Sequence, residues 1–253
     1  MSLRRTVAVA RRVVTQLRRD HRTLALLLVA PVVVLSLVGA LWGGQAGSAP
    51  GRTVLDDLAP GLIALFAFFF IFLLAAVAFL RERTSGTLER ILATPLRRAE
   101  LVAGYLAGFG VFALLQAFVI LAFTILVLKV QYRGGLGTIF LVEAVLVVGA
   151  VSLGLAVSAF ARNELQAVQF VPLILLPQVF LSGLLVPVDQ LPDVLRPIAA
   201  VLPLTYAIEA LRSVMIKGSP LADPLILRDL GILAAFALLA AVAAVASIRR
   251  EVA

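Results

Sequence analysis

The chain contains no cysteine and a single histidine, His21, among its 253 residues. Disulfides, thiolate metal sites and histidine clusters are thereby excluded. Charge is scarce as well: 14% of residues are Asp, Glu, Lys or Arg, against 62% hydrophobic residues and a mean hydropathy of +1.10. A soluble domain of this length has too little interior to hide that much apolar surface. The motifs of several common chemistries are missing. There is no Gly-x-x-x-x-Gly-Lys-[Ser/Thr] phosphate loop, no nucleophile elbow and no His-Glu-x-x-His pair. No internal repeat supports an inverted-repeat transporter. The expectation is an all-α polytopic membrane protein with no catalytic residue, no metal site and no cofactor bound by this chain.

What is abundant is long apolar sequence. Runs of about 20 apolar residues, each enough to cross a hydrocarbon core about 30 Å thick, predict six spans. They fall near 24–42, 59–80, 101–128, 138–160, 167–187 and 229–248. Pro172, Pro177 and Ser182-Gly183 predict a kinked fifth span. Ahead of the spans, Leu3 to Arg19 reads as an amphipathic helix. Arg4/Arg5, Arg11/Arg12 and Arg18/Arg19 recur every seven residues on one face, and Leu3, Val7, Ala10, Val14 and Leu17 occupy another. Such a helix suits the bilayer interface, with arginines beside anionic headgroups. The apolar run behind it is too long for a signal-peptide core, and more spans follow.

The net charge of +8 would suggest nucleic acid in a soluble protein, but here the basic residues sit in loops beside spans, so no nucleic-acid partner is expected. Six spans put both termini on one side. That side collects fifteen of the 22 basic residues, counting Arg249 and Arg250, and the other seven. The excess makes both termini cytoplasmic.

Between spans two and three lies RERTSGTLERILATPLRR, residues 81–98, with five arginines and two glutamates. Ser85-Gly86-Thr87 reads as a helix start with Thr87 as N-cap, Leu88, Ile91 and Leu92 share a face, and Pro95 ends the helix. Between spans five and six, Pro187 leads into an apolar external segment, 188–218, which Pro192, Pro197 and Pro203 punctuate and which is too short in each piece to span. Two short re-entrant helices broken at Pro203 fit it, with Thr205 capping the second and Glu209 pairing with Arg212.

Polar groups in the spans admit two readings. Glu143, near the outer end of span four, is either interfacial or helix-pairing, or one member of a proton relay. Gln116, Gln169 and Gln178 either hydrogen-bond between helices or line a path for amphiphilic cargo. Phe66, Phe68, Phe69, Phe70 and Phe72 either face lipid and neighbouring helices or form a constriction. Gly39/Gly43 and Gly104/Gly108 have Gly-x-x-x-Gly spacing, which permits close helix contact.

RERTSGTLERILATPLRRAELVAGYLAG and FLSGLLVPVDQLPDVLRPIAAVLPLTYAIEALRSVM resemble the first cytoplasmic loop and the external signature of type-2 ATP-binding-cassette (ABC) transporter permeases, closest to the daunorubicin and drug-exporter branch. The resemblance covers essentially the whole chain, with one departure: Tyr105 stands where a lysine is common. It implies a single transmembrane domain over 1–253, with 1–22 as an interfacial connecting helix and 81–98 as a coupling helix. It implies pairing with a second permease chain and docking of a separate ABC ATPase subunit that carries ATP and Mg. Contacts to that ATPase are expected from Arg81, Glu82, Arg83, Thr84, Ser85, Gly86, Thr87, Glu89 and Arg90, and a cargo path from Gln116, Gln169, Gln178 and Phe69. The implied function is ATP-driven export of a hydrophobic or amphiphilic drug, antibiotic or lipid across the plasma (inner) membrane. Polysaccharide export and an ion- or proton-coupled carrier remain the alternatives.

Overall fold

The computed structural model describes residues 2–94 and 96–248, apart from the side chains of Glu89 and Leu92. Arg249, Arg250 and Pro95, used above for orientation and for a helix end, lie outside that description. The described residues are helical throughout their ordered elements. These are α1 (Leu3–Arg19), α2 (His21–Trp42), α3 (Val54–Thr84), α4 (Thr87–Leu92), α5 (Arg98–Leu126), α6 (Leu136–Ser158), α7 (Glu164–Leu181), α8 (Arg196–Ala199), α9 (Pro203–Arg212) and α10 (Pro224–Ser247). Six of them, α2, α3, α5, α6, α7 and α10, are long and apolar enough to cross a membrane.

α3 and α6 form the centre because small residues let them meet. A Cβ on Gly154 of α6 would fall 2.7 Å from the Phe72 carbonyl oxygen of α3 and 2.9 Å from the Ala75 Cβ. α10 closes on the other side of α6, where Gly149 faces Phe236 and Ala237. α2 and α7 stay at the periphery and turn Leu26, Leu37, Leu41, Leu165, Leu173 and Phe180 outward.

The second span starts five residues earlier than hydropathy suggests. Asp56 and Asp57 lower the apolar signal, yet they belong to the first turn of α3, where carboxylates favour the positive end of the helix dipole. Thr53 and Asp56 form a capping box: the Thr53 N–H donates to Asp56 Oδ2 at 2.7 Å, and the Asp56 N–H donates to Thr53 Oγ1 at 3.2 Å. Pro60 cannot donate to the Asp56 carbonyl four residues back. The buried Arg52 guanidinium donates to that carbonyl instead, at 3.0 Å.

α7 is shorter than predicted. It ends at Leu181, and Gly183 adopts the left-handed conformation at φ +87°. The segment that follows differs from the expected cap and ion pair. Pro203 is the first residue of α9, where a missing N–H costs nothing. Thr205 lies inside α9, and its hydroxyl donates to the Ala199 carbonyl at 2.8 Å. Glu209 pairs with Arg228 at 2.9 Å rather than with Arg212, which donates to the Leu184 carbonyl at 3.3 Å. Leu204, Ala207, Ile208 and Leu211 are fully buried, so α9 is packed against α3, α6 and α10.

Candidate functional site

The charged stretch between α3 and α5 lies at one end of the bundle, here the basic end. α3 does not stop where the apolar residues stop. It continues through Arg81, Glu82, Arg83 and Thr84, so those four residues form its last turn and not part of a separate helix. Gly86 reverses the chain at φ +70°, which glycine adopts without a steric penalty. Thr87 is the first residue of α4 and not its cap; the Gly86 carbonyl accepts from the Arg90 N–H at 3.4 Å. Leu88 is buried and holds α4 against the bundle, leaving Thr84, Ser85 and Arg90 exposed.

Three charged side chains of that last turn are tied to neighbouring helices, Glu82 in a buried place and Arg81 at the surface. Arg81 makes a two-pronged pair with Glu164 at the start of α7, at 2.8 and 2.9 Å. Arg83 donates at 2.8 Å to the Ser158 carbonyl, one of the unpaired carbonyls that end α6. Glu82 is buried and accepts from Arg12 of α1 at 3.1 Å and from the Tyr105 hydroxyl of α5. The expectation that Glu82 is displayed to a partner is therefore corrected, because its carboxylate is taken up inside the chain. Tyr105, the departure from lysine, sits edge-on to Phe79 at 4.9 Å and places its hydroxyl on that carboxylate. A neutral hydroxyl fits where Arg12 already supplies the positive charge.

α1 completes this end. Val9 and Val13 rest on Gly104 and Gly108 of α5, where a Cβ would meet the valine Cβ atoms at 2.5 and 2.6 Å. The Gly-x-x-x-Gly spacing thus seats the amphipathic helix and not another span. The buried face of α1 is Val9, Val13 and Leu17, while Leu3 and Val7 are exposed, a different split from the one read by periodicity. At the start of α1, the Ser2 N–H donates to Glu100 Oε1 at 2.5 Å, and Arg5 lies 3.9 Å from Oε2. Two of the arginines expected at headgroups thus face carboxylates of α3 and α5. Arg4, Arg11 and Arg19 line a shallow open groove on the outer side with Thr15 and Gln16.

The residues read as a candidate cargo path lie on three helices: Phe69 on α3, Gln116 on α5, and Gln169 and Gln178 on α7. Gln116 is buried and donates to the Phe66 carbonyl of α3 at 3.1 Å, an interhelical bond. Gln178 is buried near the end of α7, whereas Gln169 is exposed on that helix. Phe69 is half-buried against Phe70 at 4.7 Å, and Phe68 and Phe72 stack inside the bundle. Glu143 is fully buried, and among the described residues neither oxygen has a hydrogen-bond partner, so it is not interfacial. Glu143→Gln removes the need to bury an unpaired acid, and an unchanged or higher melting temperature in detergent is expected. A fall of about 5 °C or more would show a partner that Glu143 holds.

Arg12, Glu100, Ser158 and Glu164 escaped the sequence reading. Their partners lie 70 or more positions away, beyond the reach of helical periodicity. Only the seven-residue arginine repeat and the glycine pair of α5 hinted that α1 and α5 meet.

Six membrane-crossing helices with a basic turn pinned to the ends of its neighbours define a multi-pass transmembrane protein. The sequence matches the ABC-2 type transporter family over residues 4–216, and the chain belongs to that family. It is 30% identical over 224 residues to nodulation protein J of Rhizobium leguminosarum bv. viciae, covering 87% of this chain and 84% of that protein. It is 32% identical over 169 residues to ABC transporter G family member 20 of Dictyostelium discoideum, covering 67% of this chain and 23% of that protein. A 27% identity over 161 residues links it to the probable multidrug ABC transporter permease YbhS of Escherichia coli (strain K12), covering 63% of this chain and 43% of that protein. The matched part spans less than half the length of these last two relatives.

Proposed function

We propose that this chain is the permease subunit of an ATP-driven exporter in the plasma membrane, with both termini and the basic end cytoplasmic. A second permease chain pairs with it, and a separate ABC ATPase subunit, which carries ATP and Mg, docks at the α3–α4 turn. The observation that carries the reading is the arrangement of that turn. Arg81, Glu82 and Arg83 fasten it inward to α7, α1, α5 and α6, while Ser85 and Arg90 remain outside. A push on the exposed side therefore reaches several helices together, as a rigid-body step requires. Hydrophobic or amphiphilic cargo suits spans so poor in charge, and the multidrug relative supports that choice over a polysaccharide.

The test is co-purification with the ABC ATPase encoded beside this gene, comparing wild type with Arg90→Glu. Arg90 is exposed, and its side chain makes no hydrogen bond or ion pair among the described residues, so the variant is expected to insert normally and lose most of the ATPase. Retention equal to wild type would remove the docking assignment. Transport that follows the proton gradient without any ATPase, and that fails in Glu143→Gln, would favour the coupled-carrier alternative.

A further inference from the structure

At the opposite end of the bundle, Arg212 makes no ion pair among the described residues. It closes α9, and its side chain donates to the neutral Leu184 carbonyl at 3.3 Å. Burial lowers its pKa from the ordinary arginine value, and the charge that favours it, on Asp57, is already engaged by Arg52 at 3.2 Å and by the Ser48 N–H at 2.7 Å. Half-burying a guanidinium against one neutral acceptor is unfavourable unless water or a bound anion makes up the loss.

Two more unsatisfied groups lie at the end of α7, before the turn that meets Arg212. Arg212 Nη1 is 4.0 Å from where a Cβ on Gly183 would stand. The neighbouring Ser182 has a buried hydroxyl with no partner, and Gln178, one helical turn earlier on the same face of α7, has a buried amide oxygen with none. The positive φ of Gly183 turns the chain so that α7 ends against α9. Leu184 anchors the turn on α3, with Leu184 Cδ1 at 2.2 Å from the position of a Cβ on Gly61. The chain between this turn and α9 exposes apolar side chains: Leu185 and Val186 directly after the turn, then Val194, Ile198 and Val201.

We propose that Arg212, beside the Ser182-Gly183 turn, is a binding site for the phosphate or carboxylate head of an amphiphile whose chain lies on those apolar residues. The guanidinium supplies two parallel donors that match either oxyanion, and the Ser182 hydroxyl supplies another. The inference deepens the export reading by making the cargo, or a lipid resident beside its exit, an anionic amphiphile. It rests on that reading only for the word cargo.

The experiment measures binding first, without the ATPase. The full chain in neutral detergent is titrated with oleoyl lysophosphatidate and with monooleoylglycerol, and bound molecules are counted by native mass spectrometry. Wild type is expected to prefer lysophosphatidate by about tenfold, the size of one charge-assisted contact. Arg212→Gln should abolish the preference and Arg212→Lys should keep part of it. Ser182→Ala should weaken it. Arg11→Gln, in the outer groove of α1, should leave it intact. A preference unchanged in Arg212→Gln, or lost only in Arg11→Gln, overturns the site. A second arm adds the ATPase and inside-out vesicles. ATP-dependent accumulation of lysophosphatidate identifies the ligand as cargo. Arg212-dependent binding without accumulation identifies it as a resident lipid and leaves the site standing while the cargo assignment fails.

Discussion

Gly104→Leu is expected to lift α1 from α5 while the six spans still insert. Any side chain at this position begins with a Cβ 2.5 Å from the Val9 Cβ and 3.0 Å from the Thr6 carbonyl oxygen. Backbone cannot swing aside as a flexible side chain can, so the helix itself must move. Overpacking of this kind costs about 1–3 kcal/mol, enough to raise the undocked population of α1 about tenfold. The readout is trypsin cleavage at Arg11, Arg12, Arg18 and Arg19 in membranes: slow for wild type and at least several-fold faster for the variant. Cleavage at the wild-type rate would mean that α1 is held elsewhere.

Glu82→Ala should have the largest effect on stability of any substitution in the basic turn. It removes the acceptor of both Arg12 and the Tyr105 hydroxyl in a buried place. Removing one partner of a fully buried pair costs about 3–5 kcal/mol. Because the Arg12 side chain is 37% exposed, water compensates part of that, and about 2–3 kcal/mol is expected. For a chain of this length the melting temperature would fall by about 5–10 °C. The double variant with Arg12→Ala should be little worse than Glu82→Ala alone, since both delete the same contact. Were Glu82 instead a displayed docking residue, melting would be unchanged and ATPase capture alone would suffer.

The sequence made the span number, the family and the existence of α1 readable, because each rests on local composition or period. Twenty apolar residues in a row need no partner to identify them, and seven-residue spacing of arginines needs only a helix. The direction of individual side chains was not readable in the same way. Val9 and Leu3 are equally apolar, and only Gly104 decides that Val9 is the one enclosed. The charges of 81–83 resemble a solvated loop until α3 is seen to continue beneath them. Asp56 looked like an interruption and is a cap, and Thr205 looked like a cap and is a buried tie to α8. The Asp56 cap is local to α3, but for Val9 and Thr205 the deciding contact came from another helix.

The seating of α1 also carries a consequence for the order of biosynthesis. Each of the two valines precedes its glycine by 95 positions. At about 5–20 residues per second, α1 is made about 5–20 s before the groove on α5 that receives it. Through that interval its valines lack their groove on α5, and in the proposed orientation the lipid surface shelters them, with its arginines on the side of synthesis. In that orientation the helix works first as a float on the bilayer surface, and later as a wedge. A substitution that improves one phase, such as a greasier edge, delays the other by holding α1 in lipid after its groove has formed.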